Sequence, residues 1–216
     1  MNLNKYIDHT LLKPDATSKD IVKLCNEAID YDFYSVCVNS SYVSLAKSCL
    51  KDTPIKIAAV CGFPLGMMET SAKAYEADMA MMQGADEIDM VINIGRLKDK
   101  DFEYISDEIE AVADIVHDYD GILKVIIETC MLTDEEKVKA CQLAVKANAD
   151  FVKTSTGFSS GGATVSDVKL MAETVGSFAE VKASGGIRDR ETAIAMINAG
   201  ATRLGVSASI KIIEDN

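Results

Sequence analysis

Basic residues are in short supply in this 216-residue chain: 22 Lys and Arg stand against 34 Asp and Glu, for a net charge of −12 and a pI near 4.6. Phosphate backbones demand a basic surface, so the balance opposes nucleic acid as a partner. Histidine is scarcer still, with only His9 and His117, and the six cysteines (Cys25, Cys37, Cys49, Cys61, Cys130, Cys141) form no C-x-x-C pair. A zinc cage therefore lacks a ligand set, no metal is expected, and the cysteines read as free thiols. No apolar run approaches the roughly 18 residues that span a bilayer, and residues 1–6 lack the apolar core of a signal peptide. Neither membrane insertion nor export has support, which leaves a cytoplasmic location as the expectation. No G-x-G-x-x-G follows an early strand, so the usual argument for a dinucleotide-binding open sheet is missing as well.

What the chain does have is alternation. Short β-branched or apolar runs at 6–10, 34–38, 56–61, 86–92, 123–128, 150–154, 180–184 and 202–206 read as eight strands. Helical patterns lie between them, near 18–31, 70–83, 103–118, 137–148, 164–175 and 190–199. Thr133-Asp134-Glu135-Glu136 is a capping box that opens one of them. Gly84, Gly121, Gly176 and Gly200 sit where helices should stop. Eight strands alternating with helices in this length fit a single (β/α)8 barrel, expected over residues 1–216, better than an open sheet. No linker or low-complexity stretch divides the chain.

Two strand lysines carry the chemical signal. Lys153 and Lys182 stand in apolar runs, and each leads into a small, hydroxyl- and glycine-rich segment, Thr154-Ser155-Thr156-Gly157 and Ala183-Ser184-Gly185-Gly186. An ammonium on a buried strand is costly unless paired, whereas a neutral amine escapes most of that cost and is a nucleophile towards carbonyls. Reaching neutrality near pH 7 means lowering a pKa of about 10.4 towards 7, worth roughly 4.6 kcal/mol. A charged Lys182 about 6 Å away would supply roughly 2.8 kcal/mol of this at an effective dielectric near 20, with burial supplying the rest. In a barrel the site gathers at the C-terminal strand ends, where Asp8, Asp89, Lys153 and Lys182 fall. Gly185-Gly186-Ile187-Arg188 and Gly205-Val206-Ser207-Ala208-Ser209 follow the last two strands, the usual place for a phosphate. A phosphorylated small molecule is therefore the expected ligand.

The segments around Lys153, Lys182 and Asp89, with Tyr6-Ile7-Asp8-His9-Thr10, Val36-Cys37-Val38, Cys61-Gly62-Phe63-Pro64-Leu65-Gly66 and Lys124-Val125-Ile126-Ile127-Glu128-Thr129, resemble the deoxyribose-phosphate aldolase family. The resemblance extends over most of the chain. It implies a class I aldolase, without metal or other cofactor, that reversibly cleaves 2-deoxy-D-ribose 5-phosphate to acetaldehyde and D-glyceraldehyde 3-phosphate. It also implies Lys153 as Schiff-base lysine, Lys182 as second active-site lysine, Asp89 in the proton relay and Asp8 in support. The phosphate cradle would fall on Gly157, Gly185, Gly186, Gly205 and Ser207, with Arg188 as an outer charge. Two departures stand out: Ala208 replaces a second hydroxyl, and the chain ends without the tyrosine that some members use in proton transfer. A transaldolase-like enzyme on a longer phosphorylated sugar, or a catalytically silent phosphosugar-binding barrel, would share parts of this pattern.

Other residues carry plainer expectations. An aspartate hard against Lys153 would keep it protonated, so Asp89 is expected nearer Lys182. Cys37 reads as a core thiol, His9 as a structural hydrogen-bonding group, and Met67, Met68, Met79, Met81 and Met82 as packing. Lys56 and Lys124 read as strand-end lysines. Acidic barrels of this size commonly pair, so a homodimer or higher homo-oligomer is compatible with the chain.

Overall fold

Glu87-Ile88-Asp89-Met90-Val91 and Ile122-Leu123-Lys124-Val125-Ile126 alternate with a period of two, the mark of strands with two different faces. In the computed structural model, which describes residues 1–215, both faces are buried. Eight parallel strands close into a barrel in chain order. They are β1 (Ile7–Thr10), β2 (Ser35–Asn39), β3 (Lys56–Cys61), β4 (Glu87–Val91), β5 (Ile122–Ile126), β6 (Phe151–Lys153), β7 (Glu180–Ser184) and β8 (Arg203–Val206). The expected β1 at residues 6–10 is real and pairs with both β2 and β8, closing the ring. Asn216, part of the expected 1–216 domain, lies outside the described residues.

Helices α1 (Ser18–Asp30), α2 (Val43–Cys49), α3 (Thr70–Met82), α4 (Ile94–Lys98), α5 (Phe102–Asp118), α6 (Asp134–Lys146), α7 (Val165–Val175), α8 (Arg190–Asn198) and α9 (Ser209–Glu214) surround the ring. The apolar phase of the strands, with side chains such as Ile88, Met90, Leu123, Val125, Val181 and Leu204, forms one continuous layer with the helices. Each fully buried side chain of this kind contributes about 1.5–3 kcal/mol. Among the described residues, no helix is long and apolar enough to cross a membrane.

Local signals account for most boundaries. Thr133 accepts from the Glu136 N–H while the Glu136 carboxylate accepts the Thr133 N–H at 2.8 Å, the expected capping box of α6. Gly176 ends α7 with a φ of 57°, as its position suggested. Gly121 does not act as a helix stop; the left-handed residue after α5 is Asp120, with a φ of 56°. A Cβ at Gly121 would lie 2.4 Å from Met81 Cε, so that glycine makes room for packing. The short helices α2, α4 and α9 have five to seven residues, too few for an amphipathic period to declare itself. The methionine expectation is only partly met: Met81 is in the core, whereas Met67, Met68 and Met82 are exposed.

Outside the ring, α3 and α5 hold an ion pair that the sequence reading did not anticipate. Lys73 and Glu108 are fully buried, 2.5 Å apart. Lys73 Nζ also donates to the Val91 carbonyl at 2.8 Å, and the Glu108 carboxylate accepts the Asn93 N–H at 3.0 Å. The pair thus fastens the C-terminal end of β4, the strand that carries Asp89. Removing one partner leaves an uncompensated buried charge, so Lys73→Met should cost about 3–5 kcal/mol in urea unfolding, and adding Glu108→Leu should recover most of it. Equal losses in the single and double variants would contradict this account.

Candidate active site

Register places the polar faces of neighbouring strands side by side. Asp89 is opposite Lys124, Lys153 opposite Lys182, and Lys182 opposite Arg203. Their side chains meet inside the ring. Asp89 Oδ2 accepts from Lys153 Nζ at 2.8 Å and from Lys182 Nζ at 2.7 Å, while its Oδ1 accepts from Lys124 Nζ at 2.8 Å. Asp8 is bound by Lys182 on one oxygen and by the Arg203 guanidinium at 2.9 Å on the other. Glu87 completes the set, with Lys124 at 2.5 Å and Arg203 at 3.0 Å. Arg203 also lies over the Tyr34 ring, 3.7 Å from its centroid.

Two expectations are corrected here. Lys124 is not a strand-end lysine reaching water; it is fully buried between Glu87 and Asp89. Lys56 does behave as expected, half-exposed and paired with Asp86. Nor does Asp89 keep its distance from Lys153, since it touches both catalytic candidates almost equally. Lys153 nevertheless has a lowered pKa. Burial is the main cause, Asp89 opposes it, and the Lys182 charge reinforces it, so burial outranks the neighbouring charge as the tuning force. Asp89 does not fix a proton on Lys153 because its charge is shared among three lysine nitrogens. Its own burial opposes ionisation, but Lys124, Lys153 and Lys182 together hold its pKa well below the usual range. Burial also works against the Lys182 cation, and Asp8 and Asp89 overcome it and raise that pKa.

Counting charges gives the same result. Asp8, Glu87 and Asp89 supply three negative charges, and Lys124, Lys182 and Arg203 supply three positive ones, all on residues buried to 5% exposure or less. A protonated Lys153 would leave one positive charge in excess in a dry interior, where uncompensated charge is expensive. The neutral state of the cluster is the state in which Lys153 is an amine.

Lys153 forms the floor of a cavity of about 350 Å³ at the C-terminal end of the barrel. Gly157, Gly185, Gly186, Arg188, Gly205 and Ser207 line the same cavity, so the structure brings together every candidate on the expected phosphate loops. Asp8, Asp89 and Lys182 lie beneath Lys153 and outside that lining. Gly186 has a φ of 80° with open space where a Cβ would stand, so its glycine serves the turn. Gly205 has a different reason: a Cβ there would meet Lys182 Cε at 3.0 Å, so the missing side chain admits the lysine. Cys37 is buried, and burial raises its thiol pKa, as fits a core thiol. Glu128, at a left-handed φ of 55°, holds the loop after β6 by accepting from the Thr156 hydroxyl at 2.5 Å.

A model of the DeoC/LacD family aldolases matches residues 3–212. The chain belongs to the DeoC/LacD aldolase family. A relative in this family, the deoxyribose-phosphate aldolase of Finegoldia magna, is 63% identical over 214 residues, covering 99% of this chain and 100% of its own. The deoxyribose-phosphate aldolase of Thermococcus gammatolerans is 58% identical over 216 residues, covering 99% of this chain and 96% of its own. Among solved structures, the tetrameric deoxyribose phosphate aldolase from Aeropyrum pernix superposes with a TM-score of 0.92 at 32% identity, over 98% of this chain and 89% of that one. The family's barrel and this chain's barrel therefore agree along nearly the whole length.

Sequence reading missed Glu87, Lys124 and Arg203. All three occupy the polar phase of the strand alternation, in step with Asp89, Lys153 and Lys182, and that phase was the available signal. Only the neutral amine reacts, so the rate of reductive methylation at Lys153 should rise with pH through its lowered pKa. Lys182→Met removes a cation, lets Lys153 carry the balancing proton, and should move that limb to higher pH. Glu87→Gln removes an anion and should move it to lower pH. Peptide-mapped labelling across pH reads both, and shifts of the same sign in the two variants would refute the balance.

Proposed function

We propose that this aldolase reversibly cleaves 2-deoxy-D-ribose 5-phosphate to acetaldehyde and D-glyceraldehyde 3-phosphate, with Lys153 as the nucleophile. The observation that carries this reading is a buried lysine, its pKa lowered by that burial, in the lining of a cavity that it shares with the glycine turns at Gly157, Gly185, Gly186 and Gly205 and with Arg188. The full-length similarity to deoxyribose-phosphate aldolases supplies the substrate class.

In the cleavage direction, the Lys153 amine adds to the aldehyde carbon C1 of the open-chain sugar, and loss of water leaves a C1 iminium next to C2, which can accept the electron pair of the C2–C3 bond. Deprotonation of the C3 hydroxyl then breaks the C2–C3 bond; its electron pair moves to the iminium, releasing glyceraldehyde 3-phosphate and leaving an enamine on Lys153. Protonation of the enamine carbon and hydrolysis of the new iminium release acetaldehyde and restore the amine. Water in the cavity carries the C3 proton, because Asp89 and Lys182 lie below the lysine rather than beside the sugar. Their role is to receive and return protons at the Lys153 nitrogen and to stabilise the charge that forms there. Asp8, with Arg203, holds Lys182 in place.

The substrate phosphate sits on the backbone of Gly157, Gly185, Gly186 and Gly205, with the Ser207 hydroxyl and the Arg188 charge. Binding at that end aligns the reacting carbon, which lies at the other. The chain works as a homo-oligomer, as the tetrameric relative does, and in the cytoplasm, a reducing compartment compatible with six unpaired cysteines. Acetaldehyde with borohydride should leave an ethyl group on Lys153 and nowhere in Lys153→Ala. Labelling by dihydroxyacetone instead of acetaldehyde would point to a transaldolase-like enzyme and overturn the assignment.

A further inference from the structure

Beside the catalytic cluster lies a second buried chain of polar groups that the chemistry above does not use. His9 follows Asp8 on β1 and is 4% exposed. Its Nε2 is 2.9 Å from the Glu27 carboxylate on α1, and its Nδ1 is 2.8 Å from the hydroxyl of Ser209, the first residue of α9. Ser209 is fully buried, and the Val206 carbonyl stands 3.1 Å from the same hydroxyl. His9 and Val206 are register partners on adjacent strands. One line of contacts thus runs from α1, through β1, to Ser209, which stands two residues beyond Ser207 where the turn after β8 enters α9.

The roles of the atoms follow from what each can do. A carboxylate only accepts, so the His9 proton sits on Nε2 and faces Glu27. Burial outweighs the attraction of Glu27 and lowers the His9 pKa, leaving the ring neutral and Nδ1 an acceptor. Ser209 Oγ–H then donates to Nδ1, its shorter contact, in preference to Val206. The histidine carries no reacting proton and does not line the aldolase cavity; it borders a separate surface cavity together with Glu27 and Ser207.

We infer that His9 is a positioning residue for phosphate recognition, acting through Ser209 to hold the Gly205-Val206-Ser207 turn in its binding shape. The inference rests on the reading of that turn as part of the phosphate cradle. It predicts a loss confined to the phosphate end. The reaction at Lys153 depends on a different set of side chains, so kcat should be spared while KM for the phosphorylated sugar rises.

The test compares KM and kcat for 2-deoxyribose 5-phosphate and for unphosphorylated 2-deoxyribose in Ser209→Ala, His9→Gln, His9→Asn and Ser207→Asp. Loss of one buried hydrogen bond should raise KM for the phosphate ester about fivefold in Ser209→Ala and His9→Gln, with kcat within about twofold and KM for deoxyribose unmoved. Asn places its amide where Nδ1 stands and forgoes the Glu27 contact, so His9→Asn should retain most of the parent KM. A merely structural histidine would give the opposite order or depress both substrates together, and either result overturns the inference. Ser207→Asp puts a carboxylate on the turn itself and should raise the ratio of the two KM values further than any other variant. If it does so while Ser209→Ala and His9→Gln leave the ratio alone, the positioning role fails and the phosphate turn stands. If Ser207→Asp leaves the ratio unchanged, the cradle assignment fails and the inference falls with it.

Discussion

One carboxylate organises the interior of this barrel. Asp89 is fully buried and touches the nitrogens of Lys124, Lys153 and Lys182, each within 2.8 Å. A single negative charge cannot neutralise three ammonium groups. Asp8 and Glu87 supply the rest, with Arg203 as the cation between them. The remaining imbalance is one proton, and it falls at the lysine nearest the cavity, where burial is least compensated. The lowered pKa of Lys153 is thus a property of the whole cluster, and neither Lys182 nor burial alone accounts for it.

Closing the sheet makes such a cluster buildable. In an open sheet the polar phase of each strand would face water or a helix. In a closed ring that phase faces seven other strands, and parallel register aligns Lys153, Lys182 and Arg203 across consecutive ladders. The missing side chain of Gly205 on β8 leaves room for the long Lys182 side chain from β7. The ions are then dry, close and fixed, so a change at one is felt at the others. Outside the ring, the Lys73–Glu108 pair anchors the end of β4, and the apolar layer around it does the ordinary work of stabilising the fold.

How far the sequence could be read follows from the same geometry. Strand and helix order was legible because alternation, capping boxes and helix-end glycines are local signals: Thr133 and Gly176 act as their positions suggest. The meeting of Lys153, Lys182 and Asp89 was legible because each lysine leads into a small, glycine-rich segment and Asp89 falls towards the same end of its strand. Lys124 was misread, since a lysine on a strand looks the same whether it reaches solvent or a closed lumen, and only the closure of the ring distinguishes the two. Glu87 and Arg203 were invisible for that reason too, although their phase matches that of Asp89 and Lys182. The closeness of Asp89 to Lys153 could not be inferred from pairwise electrostatics. A pairwise view requires the two to be apart, and what permits contact is the sharing of Asp89 with two further lysines.

The glycine-rich rim loops line the cavity, the charged cluster lies beneath it, and the two meet at the Lys153 nitrogen. The protonation state of that atom is the centre of the account. Its most direct measure is the ¹³Cε or ¹⁵Nζ chemical shift of Lys153 followed by NMR across pH in the unmodified protein, assigned by its loss in Lys153→Ala. The account requires a titration clearly below the 10.5 of an ordinary lysine, while the Lys182 signal stays charged above it. A Lys153 signal that keeps its ammonium shift up to or beyond that value would contradict it.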